Sequence, residues 1–223
     1  MPYEVKVILV LLYAYLVSAV PMAYIMGRAL KGIDIRQYGS GNAGTSNVWV
    51  HISKKAVLPV GLFDVIVKGA SSVWLARYGF DLGLGAQALC GFAAVIGHNW
   101  SVYLRFSGGR GIATSMGVLF ALSYKALLPF AIVGLVGWLI TRNSAFWMVI
   151  SIFILPFWAL FLGEPLTVVL FCIGLLLVTA IKRLLANMGG LPEGSPWVQV
   201  MKYRLLYDRD ILSREEWVNQ KPD

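Results

Sequence analysis

Residues 112–140 read IATSMGVLFALSYKALLPFAIVGLVGWLI, and a single lysine, Lys125, decides how they fold. A helix needs roughly 20 apolar residues to cross the hydrocarbon core of a bilayer. The stretch therefore serves as one long oblique span or, divided between Ser123 and Ala126, as two short ones. Cations elsewhere choose between these readings. Apolar blocks at 5–26, 56–76, 82–96 running on to 104, 145–162 and 165–181 join 112–124 and 126–140 to make seven spans. With the N-terminus outside, Arg28, Lys31, Arg36, Lys54, Lys55, Arg105, Arg110, Arg142 and every cation of segment 182–221 then face inward. Only Lys6, Arg77 and Lys125 remain outside, and Lys68 lies within a span. Merging 112–140 into one span would put the tail cations outside, against the positive-inside bias. The expected fold is an all-α polytopic membrane bundle of about seven transmembrane helices, with the N-terminus outside and the C-terminus cytoplasmic.

Composition agrees with a lipid solvent. The chain of 223 residues is 58% hydrophobic and 13% charged, with a mean hydropathy of +0.72, whereas soluble domains carry roughly 25% charged residues. The net charge of +8 is first a topology signal, its basic residues facing anionic lipid headgroups. Nucleic acid is excluded as a partner, because no soluble domain carries a basic stripe interleaved with stacking aromatics. The Trp and Tyr residues read as interface anchors and bundle packing. Cys90 and Cys172 fall inside spans without zinc or redox spacing, which makes them packing residues. The first block resembles a signal peptide near Val17-Ser18-Ala19, but its apolar run continues to Met26, as expected of an uncleaved helix. One domain, 1–186, precedes a polar tail, 187–223. There Trp197, Met201, Leu205, Leu206 and Trp217 form either an interfacial helix or a loosely ordered segment.

Chemistry concentrates in three places. The turn Arg105-Phe-Ser-Gly-Gly-Arg-Gly-Ile112 sets three glycines and two guanidiniums before an apolar helix. Backbone N–H groups can converge on an anion where no Cβ intervenes, and a helix N-terminus adds a positive dipole end. Gly108, Gly109, Arg110, Gly111 and Thr114 are the candidate phosphate ligands. Just upstream His98 is a candidate base, although a lone histidine at a helix end is equally at home as a structural group. The second place is loop 39–47, Gly-Ser-Gly-Asn-Ala-Gly-Thr-Ser-Asn, rich in donors and uncharged, where Ser40, Gly41, Asn42, Thr45, Ser46 and Asn47 suit a phosphate or polyol, or simply a turn. The third is Asp64 with Lys68, an i,i+4 pair inside a span. It is either a buried ion pair that fixes packing or a functional lysine supported by its carboxylate. Asp64 stands alone in its span, so no metal site is expected.

Taken in chain order as motifs one, two and three, loop 39–47, the Asp64–Lys68 segment and His98 with the Gly-rich turn resemble the acyl-phosphate:glycerol-3-phosphate acyltransferases, the PlsY family of bacterial membrane enzymes. Residues Gly39 to Val48 are similar to that family's Gly-Ser-Gly-Asn-Pro-Gly-Ala-Thr-Asn-Val, and Phe63 to Gly69 to its Phe-Asp-Val-Leu-Lys-Gly. Gly97, His98, Phe106, Gly108, Gly109, Arg110, Gly111, Ala113 and Thr114 match its third motif. The resemblance implies transfer of a fatty acyl group from acyl phosphate to the sn-1 hydroxyl of glycerol 3-phosphate, giving lysophosphatidic acid in the first step of bacterial phospholipid synthesis. It also implies an inner-membrane enzyme with its active site at the cytoplasmic face and no cofactor. Lys68, His98 and Asn42 are the expected catalytic residues, with Asp64 supporting them. Catalysis would rest on juxtaposition and charge neutralisation of the leaving phosphate.

Several positions depart from the family pattern. Val50 and Ser107 stand where the family carries Arg and Lys, and apolar Leu176 to Ala180 replace a polar cluster of its last helix. One residue is added between Asp64 and Lys68. Compensating charge is expected from His51, Lys54 or Arg105. The losses leave open a paralogue that acylates another small phosphorylated alcohol. An organophosphate or anion transporter would use similar residues, but the chain has no duplicated half with paired broken helices.

Overall fold

The computed structural model describes residues 1–185, 196–213 and 215–216, and all regular secondary structure among them is helical. Helix α1 (Tyr3–Ala19) stops at Pro21 and resumes as α2 (Met22–Lys31), ending at left-handed Gly32 with Arg28 and Lys31 in its last turn. The first apolar block thus runs as helix beyond Met26. Next come α3 (Val57–Gly79), α4 (Leu84–Asn99), α5 (Ile112–Leu122), α6 (Tyr124–Thr141), α7 (Ser144–Phe161), α8 (Leu166–Leu185) and α9 (Trp197–Tyr207).

The division at Lys125 is real. Ser123 is extended (φ −154°, ψ 99°), closes α5 and caps α6, its Oγ accepting from Ala126 N at 3.1 Å. A serine cap satisfies an amide that otherwise lacks a partner, which is why the break falls on Ser123. Among the described residues, five helical segments are long and apolar enough to cross a membrane: Tyr3–Lys31, Val57–Gly79, Tyr124–Thr141, Ser144–Phe161 and Leu166–Leu185. The 16-residue α4 and 11-residue α5 fall short of a full crossing. Both pack inside the bundle, α4 along α1 and α5 against α3.

The packing is that of a multi-pass membrane protein. Small residues such as Ala14, Ser18, Ala70, Ser72 and Ala94 are buried, while Leu12, Leu128, Phe157 and Phe161 are exposed. Lipid supplies no apolar drive between helices, so close backbone approach does the work. At the crossing of α3 and α5 a β-carbon on Gly69 would lie 2.9 Å from Gly117 Cα. Gly97 of α4 meets the Tyr15 backbone of α1 in the same way.

Helix α3 is not regular. Phe63–Ala70 is π-helical, with i→i+5 bonding and a wider turn. The added residue between Asp64 and Lys68 is accommodated in this turn, and both side chains stay on the inner face. A smaller apolar cluster of Ala23, Ile35, Ala43, Val48, Ile52, Val60 and Leu104 seats loop 39–47 against the membrane helices.

Helix α9 docks on α7 and α8, so residues 197–207 of the tail pack on the bundle. Met201 is half-buried, whereas Trp197 is exposed. Trp217 and the boundary at 186–187 lie outside the described residues.

Candidate active site

The inner part of the site is built on α3 and α4. Lys68 Nζ lies 2.7 Å from Asp64 Oδ1 and 3.3 Å from His98 Nδ1, and His98 Nδ1 lies 3.6 Å from the same carboxylate oxygen. All three side chains are at most 5% exposed. A buried charge is tolerated only when paired, and the Asp64–Lys68 pair meets that need. The Lys68 carbonyl, in the π-helical turn, accepts from Ser72 Oγ at 2.6 Å and Ser18 Oγ at 3.4 Å. The His98 ring continues the line outward: its Nε2 lies where a β-carbon on Gly109 would sit. Motifs two and three therefore form one row, Asp64, Lys68, His98 and Gly109.

The Gly-rich turn is held by its backbone. Gly108 N donates to Asn99 O at 3.2 Å and Gly109 N to His98 O at 3.1 Å. These two amides close the turn onto the end of α4. The glycines are required by space, because a Cβ at either position would strike α4. The positive helix end persists one step later. Gly111 is left-handed (φ 70°), and the first amide bonding back along α5 is that of Ser115, to Gly111 O at 2.7 Å. The Thr114 hydroxyl and the Asn99 amide are buried at this helix start and make no hydrogen bond among the described residues. Such groups are costly unless a ligand or water uses them.

Loop 39–47 folds beneath this turn, with Ala43 O 3.0 Å from where a Gly109 β-carbon would lie. Asn47 is its latch. Its Nδ2 donates to Ile35 O, Tyr38 O and Asn42 O at 3.1, 2.8 and 3.1 Å, so its amide holds the loop. Gly41 N likewise donates to Tyr38 O. The half-buried Ser40 and Thr45 and the exposed Ser46 line the loop, and Asn42 is buried. Asn42 Nδ2 and Arg110 Nε both meet Asp208, at 3.4 and 2.6 Å.

The cations differ from those expected. Lys54 rests over the Trp49 ring, His51 packs at a tilt against Tyr38 beside Gly39, and Arg105 is exposed. Arg36 is the cation that reaches Ser107, its Nη1 donating to Ser107 Oγ at 3.0 Å and Leu104 O at 3.3 Å. Its other bonds go to Asp34, 2.7 Å away at Nη2. Burial raises the Asp34 carboxyl, but the Arg36 bonds outweigh it and leave the group below the usual carboxylate range. Lys182 of α8 is a further missed residue. It is 2% exposed, its Nζ lies 5.2 Å from the Trp100 ring, and its carbonyl accepts from Arg110 Nη1 at 2.7 Å. A lysine one turn from the end of an apolar helix reads as an interfacial anchor, so only tertiary placement reveals it.

Comparison with known proteins agrees with this geometry. The glycerol-3-phosphate acyltransferase family model matches residues 8–191. Glycerol-3-phosphate acyltransferase 4 of Dehalococcoides mccartyi (strain CBDB1) is 39% identical over 213 residues, 92% of this chain and 90% of its own. Glycerol-3-phosphate acyltransferase 1 of Deinococcus radiodurans is 50% identical over 114 residues, 50% and 55% of the two chains. The crystal structure of PlsY, an integral membrane glycerol 3-phosphate acyltransferase, in its glycerol 3-phosphate form superposes with a TM-score of 0.72 at 28% identity, covering 82% of this chain and 96% of that one. A match over most of the length, joined to three motifs that meet at one end of α4, establishes that this chain belongs to the glycerol-3-phosphate acyltransferase family.

Proposed function

We propose that this enzyme transfers a fatty acyl group from acyl phosphate to the sn-1 hydroxyl of glycerol 3-phosphate, releasing lysophosphatidic acid and inorganic phosphate. The observation that carries this reading is the continuous row from Asp64 and Lys68 through His98 to Gly109, flanked by Arg110 and loop 39–47. Oxygen attacks the acyl carbon, the bond from that carbon to the phosphate oxygen breaks, and the hydroxyl proton leaves to His98 Nε2 or to the departing phosphate. Lys68 and Asp64 act on this step through His98, whose Nδ1 they face. Arg110, the start of α5 with Thr114, and Ser40, Thr45 and Ser46 hold the two phosphate groups, with Asn42 aligning the acceptor. Gly41, Asn47, Gly108 and Gly109 shape the cradle by their backbone bonds. Arg36 beside Ser107 and Lys182 beside Arg110 replace cations absent at Val50, Ser107 and Leu176 to Ala180, which favours a phosphorylated acceptor.

In this reading α4 and α5 complete seven spans, the N-terminus is outside, and the site and tail face the cytoplasm of a bacterial inner membrane. Acyl chains lie among the apolar helix faces, and the substrates and membrane lipids are the only partners needed. The test is purified protein in detergent with labelled glycerol 3-phosphate and either palmitoyl phosphate or palmitoyl-CoA. Labelled lysophosphatidic acid from palmitoyl phosphate is the expected result. Product from palmitoyl-CoA alone overturns the donor assignment, and a requirement for sealed vesicles favours a transporter. Cysteine placed at Ser107 should resist labelling by impermeant reagents outside intact cells.

A further inference from the structure

We propose that Asp208, delivered to the site by the docked tail helix α9, is a positioning residue that fixes the Arg110 guanidinium for the acceptor's phosphate. The proposal rests on reading Arg110 as a phosphate ligand.

Arg110 sits on a backbone that does little to aim it, between Gly109 and left-handed Gly111. Two bonds to described residues fix its plane instead. Nε donates to Asp208 Oδ1 at 2.6 Å, and Nη1 donates to the Lys182 carbonyl at 2.7 Å. A guanidinium held at two nitrogens presents its charge and remaining geometry in one orientation, which lowers the ordering cost of meeting a phosphate. Asp208 Oδ2 also accepts from Asn42 Nδ2 at 3.4 Å, so one carboxylate ties the Gly-rich turn to loop 39–47.

The carboxylate is itself built in. Asp208 closes α9 in the left-handed region (φ 56°). Two buried arginines exchange caps between the ends of α8 and α9. Arg183 Nη1 donates to Leu205 O at 2.7 Å, and Arg204 Nη1 donates to Leu184 O at 3.1 Å. Each guanidinium thus satisfies the last carbonyls of the other helix, where orphan acceptors and the negative dipole end favour a cation. Arg183 Nη2 adds a bond to Ala145 O at 2.9 Å, and Asp210 pairs with Arg204 Nε at 2.6 Å. An anion meant to be displaced by each substrate would be poorly served by such anchoring. A positioning group requires it.

The sign of one kinetic change separates these roles. Asp208→Ala should raise KM for glycerol 3-phosphate about three- to tenfold, less than the loss of a direct charge-assisted hydrogen bond because Asp208 acts on the phosphate only through Arg110, and leave KM for palmitoyl phosphate unchanged. Asp208→Asn keeps an oxygen for Arg110 Nε and should recover most of the loss. Arg204→Ala, which loosens α9 without touching the site, should reproduce the Asp208→Ala phenotype. A lower KM for glycerol 3-phosphate in Asp208→Ala would identify Asp208 as a competing anion and overturn the proposal, as would an unchanged KM. Arg110→Gln serves as the separate control. If it leaves KM for glycerol 3-phosphate unchanged, the reading of Arg110 as a phosphate ligand fails, and the proposal fails with it. If Arg110→Gln raises KM and Asp208→Ala does not, only the positioning role is lost.

Discussion

Two acid–base pairs of nearly equal length stand at the two ends of the site. Asp64 and Lys68 are 2.7 Å apart, four residues apart in the chain, and 3% exposed. Arg110 and Asp208 are 2.6 Å apart, separated by 98 residues, and 10% and 17% exposed. The inner pair is made by one helix and survives any rearrangement of its neighbours. The outer pair exists only when α5 and the tail helix are both in place. Distance alone therefore says little about what a pair does: the first keeps a charge inside a span, and the second aims one.

Breaking the inner pair should have the largest effect. Lys68→Met leaves Asp64 buried and unpaired, a loss of about 3–5 kcal/mol in stability, and is expected to reduce kcat more than about a hundredfold through His98. The double variant Asp64→Leu/Lys68→Met should regain stability, because a buried pair is replaceable by apolar side chains, yet remain inactive. Thermal melts and turnover of the same preparations read both, and an active double variant would reduce the pair to packing.

Gly109→Val comes next, since it drives a wedge between the two ends. Its β-carbon would strike the His98 ring and crowd Ala43 O. Turnover should fall about a hundredfold from misplacement of the reacting groups. Full activity would show that His98 and the Gly-rich turn need not touch.

Arg110→Lys is milder. The charge survives, but a lysine cannot bond Asp208 and Lys182 O as a planar fork. KM for glycerol 3-phosphate should rise by less than about tenfold, equivalent to at most about 1.4 kcal/mol, with kcat nearly unchanged. A fall in kcat with constant KM would place Arg110 at the leaving group.

The smallest effect belongs to Asp34 and Arg36, a pair nearer solvent, with side chains 10% and 28% exposed. The folded Asp34 pKa lies below its ordinary value, so its contribution is present above the unfolded pKa of about 3.9 and is lost as pH falls through the lower folded value. Asp34→Asn should therefore cost at most about 1 kcal/mol at neutral pH. The difference from wild type should stay constant down to about pH 5 and shrink in stronger acid. A difference that vanished already at pH 6 would reverse the assigned direction.

The part of this molecule written in local pattern was legible beforehand. Ser123 and Lys125 marked the break between α5 and α6, and the spacing of Asp64 and Lys68 put them on one face. What failed to show was everything made by distant chain. Arg36 meeting Ser107, Lys182 meeting Arg110, and Asp208 closing on the Gly-rich turn join residues roughly 70–100 positions apart. The backbone bonds of the Gly108 and Gly109 amides were hidden for a related reason. A glycine turn beside a helix start suits an anion, and only the approach of Asn99 O and His98 O reveals that those amides are already used.

The π-helical turn at Phe63–Ala70 makes α3 a helix with a spare residue. Ile66 lies on its exposed side, between the carboxylate and the ammonium, and belongs to neither. Deletions inside a membrane helix ordinarily rotate everything beyond them by about 100° and scramble the inner face. Here the wider turn already holds one residue too many, so losing Ile66 should tighten it to an ordinary α-helical turn and leave Gly69 facing Gly117. A chain one residue shorter at this turn can therefore keep the same interior along the span.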